Sequence, residues 1–232
     1  MYNSENIDYL VCIPVYQVND RTRRCIYSLD NYDQVLLIDN STKKDCREFE
    51  SLGLEVSYQE ENIGVPRSWN IGLKRNHEWT FVVSSSMLFP NGFKKIANML
   101  DGYQGLMFRT SHVWHCNAIN KKLVEKIGYF DENFYPGYFE DCDWDHRCGI
   151  EKIDEYGNIL IDAECQIDGG ATRDGCQVNI NGVHDYFKQK WGGNRTRDGW
   201  GYYQNPFDNP DFPISYWEQN SIEDLKKRYS LS

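Results

Sequence analysis

Short apolar runs alternate with helix-patterned stretches through the first hundred residues, and this alternation constrains the fold more than any other feature. Residues 9–15 form an apolar, strand-sized run. Residues 21–29 read as a helix, with Cys25, Ile26 and Leu29 at three- and four-residue spacing. The pattern continues with a fully buried strand at 34–39, a helix at 43–52, a strand at 54–58, a helix at 64–74 and a strand at 78–83. A helix at 90–100 follows, with Pro90 near its first turn. Strands separated by such helices imply βαβ units, hence an α/β fold with a mostly parallel sheet. In such sheets ligands gather beyond the carboxyl ends of the strands. Three polar segments fall there, at 16–20, 39–42 and 84–86. The pattern suits a nucleotide, but not through the familiar phosphate loops. No GxGxxG follows the first strand, and GxxxxGK[ST] is absent from the sequence.

Composition narrows the class. The 232 residues suit one domain with a large core, or one domain with a small appendage. A hydrophobic share of 40% excludes a disordered chain, and no apolar run approaches the roughly 18 residues that cross a bilayer. Residues 1–8 are polar and do not read as a signal peptide. The net charge of −10 argues against a protein that grips nucleic acid through electrostatics. The eight cysteines contain no CxxC pair, so they read as reduced, mostly buried thiols in a cytoplasmic protein. Without a leader, the sequons at Asn40-Ser41-Thr42 and Asn194-Arg195-Thr196 read as accidental.

The second half changes character. Residues 104–109 and 111–116 read as paired short strands, 121–127 as a helix and 221–229 as a final helix capped by Ser221 or Asn220. Between them Glu140, Asp141, Asp143 and Asp145 open another helix. Acids in a first turn suit the macrodipole. Four in six residues exceed what capping requires, and crowding raises the pKa of at least one, as a general base needs. Residues 167–173 form a Gly-rich turn, and 194–215 an aromatic-rich loop. Trp191, Trp200, Tyr202 and Tyr203 are candidates either for packing or for stacking on a ligand. His184 reads as a surface-helix histidine or as a ligand or metal contact.

These residues resemble a family 2 glycosyltransferase of the GT-A fold, from about Tyr9 to Trp191. Cys12-Ile13-Pro14-Val15-Tyr16 resembles the family's first strand and turn. Leu37-Ile38-Asp39-Asn40-Ser41 resembles the second strand, whose Asp meets the nucleotide base. Asn62-Ile63-Gly64 with Asn70-Ile71-Gly72 resembles the helix beside the donor. Gly128-Tyr129-Phe130-Asp131-Glu132 and Glu140-Asp141-Cys142-Asp143 resemble the acceptor-side elements.

The resemblance implies one GT-A domain over 1–232, a three-layer α/β/α sandwich with a mostly parallel central sheet. Residues 1–103 would bind the nucleotide-sugar, 104–195 would face the acceptor, and 196–232 would add the aromatic loop and last helix. The implied donor is a UDP-, GDP- or dTDP-sugar, held by Pro14, Tyr16, Asp39, Asn62, Arg67, Asn70, Ser84, Ser85 and Ser86. The implied reaction is an inverting transfer to a hydroxyl on a glycan, a protein or a modified nucleic-acid base. Asp141 would be the base, Glu140 would hold sugar hydroxyls and Asp143 would orient the helix start.

One departure stands out. Where the family carries a DxD-like motif for Mn²⁺ or Mg²⁺, this chain has Ser84-Ser85-Ser86, and Ser86 occupies the position of the missing acidic ligand. Three readings follow. His184 and the Asp143 cluster hold the metal, or Arg67, Arg173, Lys188 and Lys190 neutralise the leaving group, or the chain only binds nucleotide-sugar or glycan. A sugar nucleotidyltransferase is a weaker alternative, because its Gly-rich, Lys-containing loop is missing at the first strand.

Overall fold

The computed structural model describes residues 7–110, 114–153, 156–159, 166–167, 176–193 and 202–231. The strands are β1 (Tyr9–Val15), β2 (Val35–Asp39), β3 (Glu55–Tyr58), β4 (Trp79–Val83), β5 (Met87–Leu88), β6 (Met107–Thr110), β7 (Cys116–Asn120), β8 (Tyr156–Ile159) and β9 (Gln166–Ile167). The helices are α1 (Asp20–Tyr27), α2 (Val65–Leu73), α3 (Lys94–Ala97), α4 (Lys121–Ile127), α5 (Glu140–Ile150), α6 (Ile180–Trp191) and α7 (Ile222–Tyr229).

Among the described residues, seven strands form one sheet in the order β3-β2-β1-β4-β7-β6-β8. β1, β2, β3 and β4 run parallel, as do β6 and β8, while β7 is antiparallel to both its neighbours. β5 and β9 pair separately as a short antiparallel ribbon. The expected α/β sandwich is present.

Period-two alternation distributes the central strands between two cores. Val11 and Ile13 of β1, Leu37 of β2 and Phe81 of β4 pack on one face with Cys25 and Ile26 of α1, Phe49, and Ile96 of α3. Cys12, Leu36, Ile38 and Val82 pack on the other with Trp69 of α2, Leu123 of α4 and Trp144 of α5. α2 approaches closely because position 72 has no side chain. A Cβ there would lie 2.6 Å from that of Cys12. A third cluster joins Phe134 and Tyr135 to α6 and α7.

Several boundaries differ from the sequence expectation. Residues 45–52 form a 3₁₀ helix after Lys44 in the left-handed region, in place of an α-helix over 43–52. The helix expected at 90–100 contracts to α3 and a 3₁₀ turn. The pair expected at 104–116 sits later, as β6 and β7, because β7 aligns its buried run with β4. Ser221, not Asn220, caps α7 through Asp224 N.

Candidate functional site

The order β2-β1-β4 puts the carboxyl ends of three adjacent parallel strands side by side. Two neighbouring cavities of about 670 and 450 Å³ open there. They share Tyr16, Asn40, Asn62, Pro136 and Cys176 as walls. Ser41, Thr42, Lys43, Asp45, Glu61 and Lys226 line the larger one. Pro14, Ser84, Ser85, Glu140 and Asp141 line the smaller one, with an aromatic wall of Trp69, Trp114, Tyr138 and Phe139. The cleft thus gathers Pro14, Tyr16, Asn62, Ser84, Ser85, Glu140 and Asp141 from the residues proposed from sequence.

Local chemistry fixes these walls. Asn40 Nδ2 donates to Ser68 Oγ at 2.9 Å, and its Oδ1 accepts from Ile63 N at 3.1 Å, so the end of β2 is tied to the start of α2. Gly64 precedes α2 at φ 82°, a conformation costly for other residues. A Cβ there would meet Pro136 O at 2.9 Å. The Tyr135 hydroxyl donates to Asn62 O at 2.8 Å, and burial pushes its pKa up to about 12, so it remains a donor at neutral pH. Burial also raises the Cys176 thiol. α5 begins after Tyr138 and Phe139, both at positive φ, without a side-chain cap. Its first residues Glu140 and Asp141 face the smaller cavity, and Asp141 Oδ1 accepts from Cys142 N at 2.8 Å.

The other expected site residues lie elsewhere. Asp39 is fully buried, and its two carboxylate oxygens accept from Ser41 N at 2.8 Å and Cys46 N at 3.0 Å. It holds the loop that lines the cleft. Asn70 is also buried. It donates to Phe130 O and Glu132 Oε1 and accepts from Phe130 N, clamping α2 to the segment after α4. Arg67 donates to Asn220 O and pairs with Glu132 at 3.3 Å. His184 stacks on Phe139 with centroids 4.8 Å apart, and Lys188 pairs with Asp185. Ser86 is buried, bonded to Ser84 Oγ at 2.8 Å, and faces a small neighbouring pocket with Arg21.

The acidic cluster is divided. Asp143 is fully buried, between Arg147 and Lys190 and bonded by Trp191 Nε1, so it does not share the cleft with Asp141. Burial alone would raise its pKa, but the two cations outweigh this and hold it below the ordinary carboxylate range. Asp145 binds Arg109 and, at 3.1 Å, Trp114 Nε1, so it holds part of the aromatic wall; burial raises its pKa against the pull of Arg109. Trp191 is buried, and Tyr202 packs on His146. Neither lines the cavities, and nor does Tyr203. Arg173, Trp200 and the turn at 168–173 lie outside the described residues.

Sequence reasoning missed Asp45, Trp114, His115, Tyr138, Cys176 and Lys226, which reach the cleft from separate places in the chain: Asp45 from the start of the 3₁₀ helix, Lys226 from α7 and the others from connecting segments. The one available signal was Asn40, next to a strand end. Among the described residues no three His, Cys, Asp or Glu side chains converge as a metal set. Serine hydroxyls at the end of β4 do not make the carboxylate cage a hard cation prefers. The seven described cysteines are free thiols, five of them buried, and Cys165 lies outside the described residues. No helix among the described residues is long and apolar enough to cross a membrane.

Fold and cleft together define the class: the chain has a GT-A-like glycosyltransferase fold. Solved structures that it resembles include a mannosyltransferase from Pyrobaculum calidifontis, in complex with GDP-Man and Mn²⁺, at TM-score 0.51 and 16% identity over 69% of this chain and 56% of that one. Another is GalNAc-T7 with UDP, GalNAc and Mn²⁺, at TM-score 0.58 and 9% identity over 97% of this chain and 54% of that one. Both are likenesses of fold, and the chain spans a little over half the length of each. No protein-family model matches the sequence, and no curated protein does.

Proposed function

We propose that the chain is a family 2-like glycosyltransferase that moves a sugar from a nucleotide-sugar to a hydroxyl acceptor with inversion. The observation that carries this reading is the cleft at the carboxyl ends of β2, β1 and β4, with Asp141 and Glu140 on its wall. The larger cavity would take the nucleoside diphosphate, between Tyr16 and the loop 40–45. The smaller would take the transferred sugar and the acceptor, against Trp69, Trp114 and Tyr138.

In the proposed step Asp141 accepts the acceptor hydroxyl proton as that oxygen bonds to the anomeric carbon. The bond from that carbon to the diphosphate oxygen breaks on the opposite side. Glu140 holds sugar hydroxyls. Lys43 and Lys226 are the cations on the described wall of the larger cavity; Lys226 is paired with Glu61 at 2.9 Å, so Lys43 is the first candidate to offset leaving-group charge, in place of Arg67, Lys188 and Lys190. The described residues do not fit a resident divalent cation.

Thermal shift against UDP, GDP, dTDP and their sugars, with Mn²⁺ or EDTA, tests the donor site, since a ligand of the folded state raises apparent stability. Transfer and donor hydrolysis then separate an enzyme from a binding module, to which the serines at 84–86 point. Asp141→Asn is expected to lower kcat by about 10²–10⁴-fold. Retention of more than about a tenth of turnover removes Asp141 as the base. No shift with any nucleotide removes the donor site.

A further inference from the structure

Four charged side chains sit together behind the cleft. Asp131, Asp143, Arg147 and Lys190 are all fully buried. Lys190 Nζ lies 2.7 Å from Asp131 Oδ2 and 2.8 Å from Asp143 Oδ1. Arg147 Nε donates to Asp143 Oδ2 at 3.0 Å, and the same guanidinium donates to Ile127 O. The Tyr186 hydroxyl completes the group at 2.8 Å from Asp131. Two acids and two bases leave it neutral.

Buried ion pairs are weak devices for stability, because desolvation offsets most of their attraction and apolar replacements often serve as well. Their clearer effect is on register, and here the elements they join form much of the cleft. The segment after Asp131 supplies Tyr135, Pro136 and Tyr138 to the walls, α5 supplies Glu140 and Asp141, and the approach to α6 supplies Val178 and Ile180. Asp143 follows Asp141 by two residues, roughly 200° around the helix, so the gripped carboxylate faces inward while Asp141 faces the cavity. The first turn of α5 has no side-chain cap of its own. The grip on Asp143 is therefore a tertiary anchor where the local one is missing.

We propose that Lys190 is a positioning residue: by bridging Asp131 and Asp143 it fixes the first turn of α5 and thereby the placement of Asp141 in the cleft. This rests on the reading of Asp141 as the base.

The test uses the full chain and the pair variant D131N/K190M, which removes one acid and one base and keeps the interior neutral. kcat and donor KM are measured for wild type, the pair variant, D141N and the triple variant. The pair variant is expected to melt cooperatively, to keep donor KM within about threefold and to lose about tenfold or more in kcat, since small displacements of a reacting group carry such losses. The triple variant is expected to be no slower than D141N, because the pair acts through Asp141. Should the pair variant fail to fold, D143N/K190M, which also removes one acid and one base, carries the same expectations. A folded variant with wild-type kcat overturns the proposal. So does a triple variant whose loss is the product of the separate losses. Wild type without transfer or donor hydrolysis takes down the glycosyltransferase reading and this inference together. Active wild type with an unimpaired variant overturns the positioning role alone.

Discussion

Asp39→Asn separates two roles for the carboxylate at the end of β2. If Asp39 read a nucleotide base, the substitution would change ligand binding and leave the free protein as stable as before. The structure assigns both oxygens to the backbone, at Ser41 N and Cys46 N, in a fully buried setting. An asparagine keeps one acceptor and turns an NH₂ toward the other N–H. One hydrogen bond to a charged group is lost, worth about 1.5–3 kcal/mol, and the abandoned N–H is a buried donor whose desolvation costs about 1–3 kcal/mol. These overlap, and local relaxation recovers part, so a loss of about 2–3 kcal/mol is expected. That is a large share of a typical total of about 5–15 kcal/mol. At this chain length each kcal/mol shifts Tm by about 2–4 °C, which gives a fall of about 4–12 °C. Differential scanning calorimetry and urea melts of the free protein measure it, and calorimetric titration with nucleoside diphosphates measures binding. Weaker binding should accompany the loss, because Asn40, Ser41 and Asp45 line the larger cavity and depend on the loop that Asp39 holds. A Tm within about 1 °C of wild type would refute the argument. Abolished binding at unchanged stability would restore Asp39 as a base reader.

Asn70→Leu removes the clamp on Phe130 and leaves that residue's buried N–H and C=O unpaired. A loss of about 2–4 kcal/mol in urea melts is expected, and a neutral result would show that the clamp is dispensable. Gly64→Ala should cost about 1–3 kcal/mol from its positive φ and its contact with Pro136 O, and should weaken nucleotide binding through the shared wall. Unchanged Tm and affinity would contradict this. Burial lowers the pKa of His146, which packs on Trp191 with centroids 4.4 Å apart. The unfolded chain therefore takes up the proton first as pH falls. The contribution of His146 to stability is full above its ordinary value of about 6.5 and declines as pH drops through it toward the lower folded value. His146→Gln should flatten the slope of Tm against pH between about 7.5 and 5.5, and an unaltered slope would show that other groups set it.

The sheet was legible because each central strand is an apolar run bounded by polar turns, and parallel pairing follows when helices separate such runs. The location of the cleft followed from the same logic, since the segments after Val15, Asp39 and Val83 end on adjacent parallel strands. What motif and composition did not reveal is direction. Asp39, Asn70, Asp143 and Lys190 are polar residues of the kind that reads as functional, yet each faces inward and holds backbone or partner charge. For Asp143 a signal existed. Arg147 follows at i+4, with Trp144 and Cys148 on the same face, so the buried side of α5 was written in its own sequence. That signal also separates Asp143 from Asp141, which the helical turn places on the opposite side. For Lys190 no local signal exists, because its partners lie 47 and 59 residues earlier and only the packed α6 brings them together. The same holds for Trp114 and Cys176, which reach the cleft from separate loops. The net charge of −10 therefore has two parts in this region that composition cannot separate. Asp131 and Asp143 are neutralised in the interior, where they set the position of a helix. Glu140 and Asp141 remain at the cavity wall, where the proposed transfer would use them.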